Sequence, residues 1–241
     1  DAHSIIEYGS TQGDEELRIE IAGLVAERGV YALPGEIIVT NGATQALSLV
    51  VQALCRPGDT VLVEEPTYLS FLNILRTFGV RAVGVAVDEE GILPDALEQA
   101  AIQARPRFLY TVSTFQNPTG ITMSDERRRA VLEIANRHGF LITEDDLYAR
   151  IALNGAPPLA IKSLPGGDNV VYISSFSKTL MPGLRVGYAI ANPSLMRRMV
   201  DLRRATDLCG PPLMQRAVAE FVRSEGYRRH LRRVIPQYRE R

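Results

Sequence analysis

Five short apolar runs, Ile37–Thr40, Val61–Glu64, Ala82–Val87, Phe108–Val112 and Phe140–Thr143, alternate with stretches at helical spacing near 44–54, 68–77, 94–104 and 124–138. That alternation constrains the chain more than any other feature. Parallel strands need a long crossover, usually a helix, and a sheet built this way is covered on both faces. Two further runs, Val170–Ser174 and Arg185–Ala191, are joined by a segment holding Pro182 and Gly183. At about ten residues it is too short for a helical crossover, so the last strand is expected to run antiparallel. The expectation is a three-layer α/β/α fold with a mostly parallel seven-stranded sheet. Before it, Leu17, Ile21, Leu24 and Val25 predict an amphipathic helix stopped near Gly29. Residues from 194 onward read as helices outside the sheet, and nothing divides 1–241 into separate domains.

The composition fits such a fold, with 46% hydrophobic and 23% charged residues in a chain of 241. With 27 basic and 28 acidic side chains the formal charge is −1, so no global field draws nucleic acid or anionic lipid. The most apolar stretch, Ala46 to Leu54, is broken by Ser48 and Gln52 and falls far below the roughly 20 residues a membrane span needs. Cys55 and Cys209 make no disulfide framework and no signal peptide opens the chain, so a reducing cytoplasm is expected, and three scattered histidines offer no metal site. From Arg197 to Arg241 twelve arginines face five acids, net +7. A nucleic-acid patch is one reading; a solvated helix face is preferred, because Leu195, Met199, Leu202 and Ala205 place an apolar stripe between the arginines. Since the first residue is Asp1, the chain reads as a piece of a longer protein.

Polar clusters fall where the strands end: Asn41-Gly42-Ala43-Thr44, Glu65-Pro66-Thr67-Tyr68, Asn117-Pro118-Thr119-Gly120, Glu144-Asp145-Asp146 and Ser174-Ser175-Phe176-Ser177-Lys178. Ligands of open α/β sheets bind at such carboxyl ends. Taken singly, the clusters have plain structural readings. Asn-Pro-Thr-Gly makes a good turn, and Ser124 with Asp125 and Glu126 makes a helix start. One count argues for more. Of the 27 basic residues 25 are arginine, leaving Lys162 and Lys178 as the only lysines. Lysine alone of the two carries an amine that can lose its proton and attack a carbonyl. A lysine amine to condense with an aldehyde, an aspartate to keep a pyridine nitrogen protonated, and serines, an arginine and helix-start amides to hold a phosphate are together the needs of pyridoxal phosphate.

The run Ser175-Phe176-Ser177-Lys178-Thr179-Leu180, followed by Gly183-Leu184-Arg185-Val186-Gly187, resembles the cofactor-lysine signature of fold-type I pyridoxal-phosphate enzymes, the class I/II aminotransferases. The whole order of clusters follows that family. The resemblance implies that Lys178 forms the Schiff base and moves the substrate proton, that Asp145 pairs with the ring nitrogen, and that Asn117 and Tyr148 donate to the ring hydroxyl. It implies that Tyr68 stacks on the ring, and that Ala43, Thr44, Ser175, Ser177 and Arg185 hold the phosphate. Tyr8, in Tyr-x-x-x-x-Gly, resembles the segment that reaches a neighbouring subunit's site, which implies a homodimer with shared sites. The substrates so implied are an amino acid and a 2-oxo acid, with aromatic amino acids and 2-aminoadipate as a first panel. The chain departs from the family at Ala43, where serine is common, and at Leu147, where proline is frequent. It reads as the large cofactor-binding domain, with a shortened N-terminal arm and without the small C-terminal domain that carries the carboxylate-binding arginine.

A second family fits the same residues. Regulators of the GntR/MocR type join a winged helix-turn-helix to an aminotransferase-like domain that senses pyridoxal phosphate, and Glu65-Pro-Thr-Tyr through Asp88-Glu-Glu-Gly resembles them. Nucleic acid becomes a partner only if a DNA-binding domain lies upstream of Asp1. Asn117 before Pro118 favours the enzyme.

Overall fold

The structure, a computed structural model, describes residues 7–240. In chain order its main elements are α1 (Glu15–Ala26), β1 (Ile37–Thr40), α2 (Ala43–Leu54), β2 (Thr60–Glu65), α3 (Leu69–Thr77), β3 (Arg81–Asp88), β4 (Gly91–Ile92), α4 (Pro94–Ala104), β5 (Phe108–Thr111), α5 (Asp125–His138), β6 (Leu141–Asp145), β7 (Val170–Ser175), β8 (Gly187–Ile190), α6 (Pro193–Thr206), α7 (Pro212–Arg223) and α8 (Gly226–Arg239). Two compact units share them: one of residues up to 46, 147–156 and 174–241, the other of residues 47–146 and 157–173.

In the second unit the strands lie in the order β7-β6-β5-β2-β3-β4. All neighbours are parallel except β4, which pairs antiparallel with β3. The pleat sends successive side chains to opposite faces, and burial follows it. Leu62, Leu109, Ile142 and Val170 pack with Leu97 and Ala101 of α4 and Val131, Leu132 and Ala135 of α5. On the other face Phe108 and Tyr110 meet Phe71 of α3. Helices therefore cover both faces, which is why these strands are apolar throughout. Each fully buried Leu, Ile or Phe contributes about 1.5–3 kcal/mol. Ser124 caps α5 by accepting from Arg127 N–H at 3.3 Å, and Gly139, at φ +72°, ends it.

In the first unit β1 and β8 pair antiparallel, Ile37 opposite Ile190 and Thr40 opposite Gly187. Leu17, Ile21, Leu24 and Val25 form the buried stripe of α1, and α1 packs on α7. Asp14 caps α1 by accepting from Leu17 N–H at 3.0 Å, and Gln215 Oε1 of α7 accepts from Asp14 N–H at 2.8 Å.

Among the described residues the strands number eight rather than seven. The addition is β4, two residues long and too short to show an alternation. The last strand begins at Gly187, not Arg185, because Arg185 sits at φ +51° and closes the turn Pro182–Leu184. Among the late arginines, Arg204 pairs with Asp201, Arg216 with Asp14, Arg223 with Glu16 and Arg228 with Glu27, while Arg203 is fully buried. Those pairs belong to solvated and inter-helix faces.

Candidate active site

The sequence-predicted residues fall into two groups, one in each unit. Tyr8, Ala43, Thr44, Tyr148, Ser175, Ser177, Lys178 and Arg185 belong to the first, and Tyr68, Asn117 and Asp145 to the second.

In the first group a helix start is prepared for an anion. β1 ends at Thr40, Gly42 turns at φ +79°, and α2 begins at Ala43. The Arg185 guanidinium donates to the Asn41 carbonyl at 3.1 Å and lies so close to Gly42 that a side chain there would strike it. Gly187, on β8, passes the same turn: a Cβ on it would stand 2.6 Å from the Gly42 carbonyl carbon and 2.7 Å from Ala43 N. Two glycines thus let an exposed arginine and a strand close on unpaired helix-start amides, an arrangement suited to phosphate. Ser177 N–H donates to Ser175 Oγ at 3.3 Å, so those serines share one turn. The amine of Lys178, an exposed residue, lies 5.8 Å from the centroid of the Tyr148 ring. Lys162 is tied down by comparison, donating to the Val170 carbonyl at 2.7 Å.

Behind this turn a polar cluster fixes Asn41. Its amide donates to Asp207 at 2.8 Å, Gln45 donates to the same oxygen at 2.7 Å, and Gln45 accepts from Asn41 N–H at 2.7 Å. Buried Arg203 bonds Asp207 at 3.2 Å and the Val39 carbonyl. Tyr8 is exposed beside an open cleft of about 930 Å³ lined by Asn41, Asp207, Gly210 and Pro212 among others.

In the second group Asp145 ends β6 on the face covered by α3. It is buried; Oδ2 accepts from the Tyr110 hydroxyl at 2.9 Å, and Oδ1 has no partner among the described residues. Burial pushes its carboxyl up to about 7, opposed by the Tyr110 hydrogen bond and reinforced by Asp146 and Glu64. A buried carboxylate with one oxygen unmet needs a donor or a cation. Tyr68, half-buried, is the N-cap residue before α3, and Asn117, half-buried, leads its loop.

Sequence reasoning missed the residues that hold these groups. Glu64, at the end of an apolar run, accepts from Thr111 at 2.8 Å, Val112 N–H at 3.0 Å and Gln116 at 3.2 Å; burial pushes its carboxyl up to about 7. Gln116 also donates to the Pro66 carbonyl at 2.8 Å and accepts from Thr119, so one side chain joins the Asn117 loop to the segment before Tyr68. Arg128, on the α5 side of the sheet, binds Ser113, Thr114, Met123 and Glu144. Only strand register brings such pairs together. Among the described residues no group of three or more His, Cys, Asp or Glu could hold a metal, and no helix is long and apolar enough to cross a membrane.

Comparison with known proteins adds to this geometry. The family model "aminotransferase class I and II" matches residues 1–240. Aromatic-amino-acid aminotransferase 1 of Thermococcus litoralis is 33% identical, over all of this chain and 59% of its own length. The crystal structure of Pyrococcus horikoshii kynurenine aminotransferase, in complex with PMP, superposes with a TM-score of 0.94 and 32% identity over 99% of this chain and 60% of that one. The uncharacterized HTH-type transcriptional regulator YjiR of Escherichia coli is 36% identical over 98% of this chain and 50% of its length. The chain thus spans half to three-fifths of the length of these relatives.

Proposed function

The chain belongs to the class I and II aminotransferases, and from that premise we propose that it is the cofactor-binding large domain of a pyridoxal-phosphate-dependent transaminase. The reaction moves an amino group from an amino acid to a 2-oxo acid. The observation that carries this reading is Asp145, a buried carboxylate whose Oδ1 no described residue meets.

Pyridoxal phosphate, the family's cofactor, supplies when bound an aldehyde that amines capture and a ring that withdraws electrons. Lys178 Nζ is the amine that would hold the cofactor through its aldehyde and, as a base, would move the proton at the substrate Cα. Asp145 Oδ1 holds the proton on the ring nitrogen. Asn117 and Tyr148 donate to the ring hydroxyl, and Tyr68 stacks on the ring. The amides of Ala43 and Thr44, the hydroxyls of Ser175 and Ser177 and the Arg185 guanidinium bind the phosphate. The arginine that grips the substrate carboxylate is assigned to no residue of 1–241.

We assign the protein to the cytoplasm, as a homodimer in which Tyr8 serves the second copy's site. Its exposed ring beside an open cleft supports that role. A sensor reading is supported by the regulator relatives, 36% identical in one case. The deciding test adds amino acids, aromatic ones and 2-aminoadipate first, to the whole-gene protein loaded with pyridoxal phosphate, without oxo acid. Release of the matching oxo acid supports the transaminase. Spectral exchange with no oxo acid formed supports the sensor.

A further inference from the structure

Tyr110 has no part in the proposed function, yet strand pairing aims it at Asp145. It stands opposite Thr143 across the β5–β6 ladder, and Asp145 lies two residues on along the same face. With strands about 4.8 Å apart and a rise of about 3.3 Å per residue, that offset is roughly 8 Å, a gap only a long side chain spans. The Tyr110 phenol spans it, with its hydroxyl 2.9 Å from Asp145 Oδ2. The ring is fully buried and stacks on Phe71 of α3 at 3.9 Å between centroids and 25° between planes. A buried phenol so held cannot turn from its acceptor without stranding its hydroxyl.

One oxygen of Asp145 is therefore committed and the other is open. We propose that Tyr110 is a positioning residue: it orients the Asp145 carboxylate so that Oδ1 alone meets the cofactor's ring nitrogen, and by donating to Oδ2 it favours the charged carboxylate. This rests on the role given to Asp145 above. The charged groups nearest to Asp145 within its unit, Glu64 and Asp146, both act against that charge, as does burial; the Tyr110 hydroxyl opposes all three.

The test follows the Asp145 carboxyl carbon by NMR through a pH titration of the cofactor-free chain, its resonance identified by loss in Asp145→Asn. Tyr110→Phe keeps the ring stack and removes only the hydroxyl. Its expected effect is proton binding at Asp145 about tenfold tighter, moving the titration to higher pH. An unchanged midpoint would overturn the proposal. Should Tyr110→Phe fail to fold, Phe71→Leu loosens the ring and is expected to move the same resonance in the same direction. A second readout is the dissociation constant for pyridoxal phosphate. Tyr110→Phe weakens binding several-fold in the parent and adds nothing in Asp145→Asn; losses that multiply would place Tyr110 outside this pathway and overturn the proposal. Neither readout requires nitrogen transfer, so a chain that passes both and forms no oxo acid leaves this inference standing and refutes the transaminase reading alone.

Discussion

The Tyr110 hydroxyl donates to Asp145 Oδ2 at 2.9 Å, both groups buried and the Tyr110 ring stacked on Phe71 of α3. The hydrogen bond leaves Oδ1 as the unmet oxygen at the end of β6. A carboxylate arranged this way is costly for the protein on its own and becomes favourable when a protonated ring nitrogen arrives. The energetics of the cofactor-free chain should carry that signature.

Burial raises the Asp145 carboxyl to about 7 in the native chain, above the ordinary aspartate value of the unfolded one. Between roughly pH 4 and 7 the native state therefore holds a proton that the unfolded state has released, so stability falls as pH rises through that window and levels above it. Glu64, also raised to about 7 by burial, acts in the same direction. Cofactor-free Asp145→Asn is expected to lose less stability than the parent between pH 5 and pH 8 in chemical denaturation. Parallel losses in the two proteins would contradict the buried, poorly compensated carboxylate.

Lys178→Ala should abolish the covalent link to pyridoxal phosphate that borohydride traps. Lys162→Ala should retain it, because the Lys162 amine serves the Val170 carbonyl. Mass spectrometry of the reduced protein checks both. Trapping that survives in Lys178→Ala and disappears in Lys162→Ala would reverse the assignment.

Gly187→Ala should weaken cofactor binding by tenfold or more, since its new Cβ falls 2.6 Å from the Gly42 carbonyl carbon and 2.7 Å from Ala43 N. Those atoms are backbone and cannot step aside without moving the start of α2. Titration of the variant with pyridoxal phosphate, and with inorganic phosphate as competitor, measures the loss. Unchanged affinity for both would remove this turn from the phosphate site.

Arg128 and Glu144 are both fully buried, with Arg128 Nη1 3.5 Å from the carboxylate and further bonds to Ser113, Thr114 and Met123. Arg128→Leu leaves Glu144 without its cation and should cost about 3–5 kcal/mol in urea unfolding. Arg128→Lys should recover little, because an ammonium cannot reproduce the guanidinium's spread of donors. A loss below 1 kcal/mol would contradict the account of this pair.

Much of the architecture was legible because its signals are local. Each apolar run from Ile37 to Thr143 became a strand, and the four crossover helices between them match to within a residue, since pattern and caps such as Ser124 and Gly139 act over a single turn, while α1 ends at Ala26, three residues before the expected stop at Gly29. Legibility failed where one residue departed from its run or where the partner was distant in sequence. Arg185 looked like the start of a strand, yet its left-handed φ belongs to the turn that brings it against Gly42. Tyr110 and Glu64 looked like parts of apolar strands, and their meaning depends on Asp145, Thr111 and Gln116 arriving through register. The residues proposed to face a ligand were marked by short motifs; the residues that hydrogen-bond them carried no motif.

The most direct test of the account is a single-turnover reaction of the whole-gene protein, loaded with pyridoxal phosphate and given one amino acid substrate with no oxo acid present. One equivalent of the matching oxo acid per site is expected, with an amino group left on the cofactor, both lost in Lys178→Ala. A parent protein that exchanges spectrally with amino acids while releasing no oxo acid would contradict it.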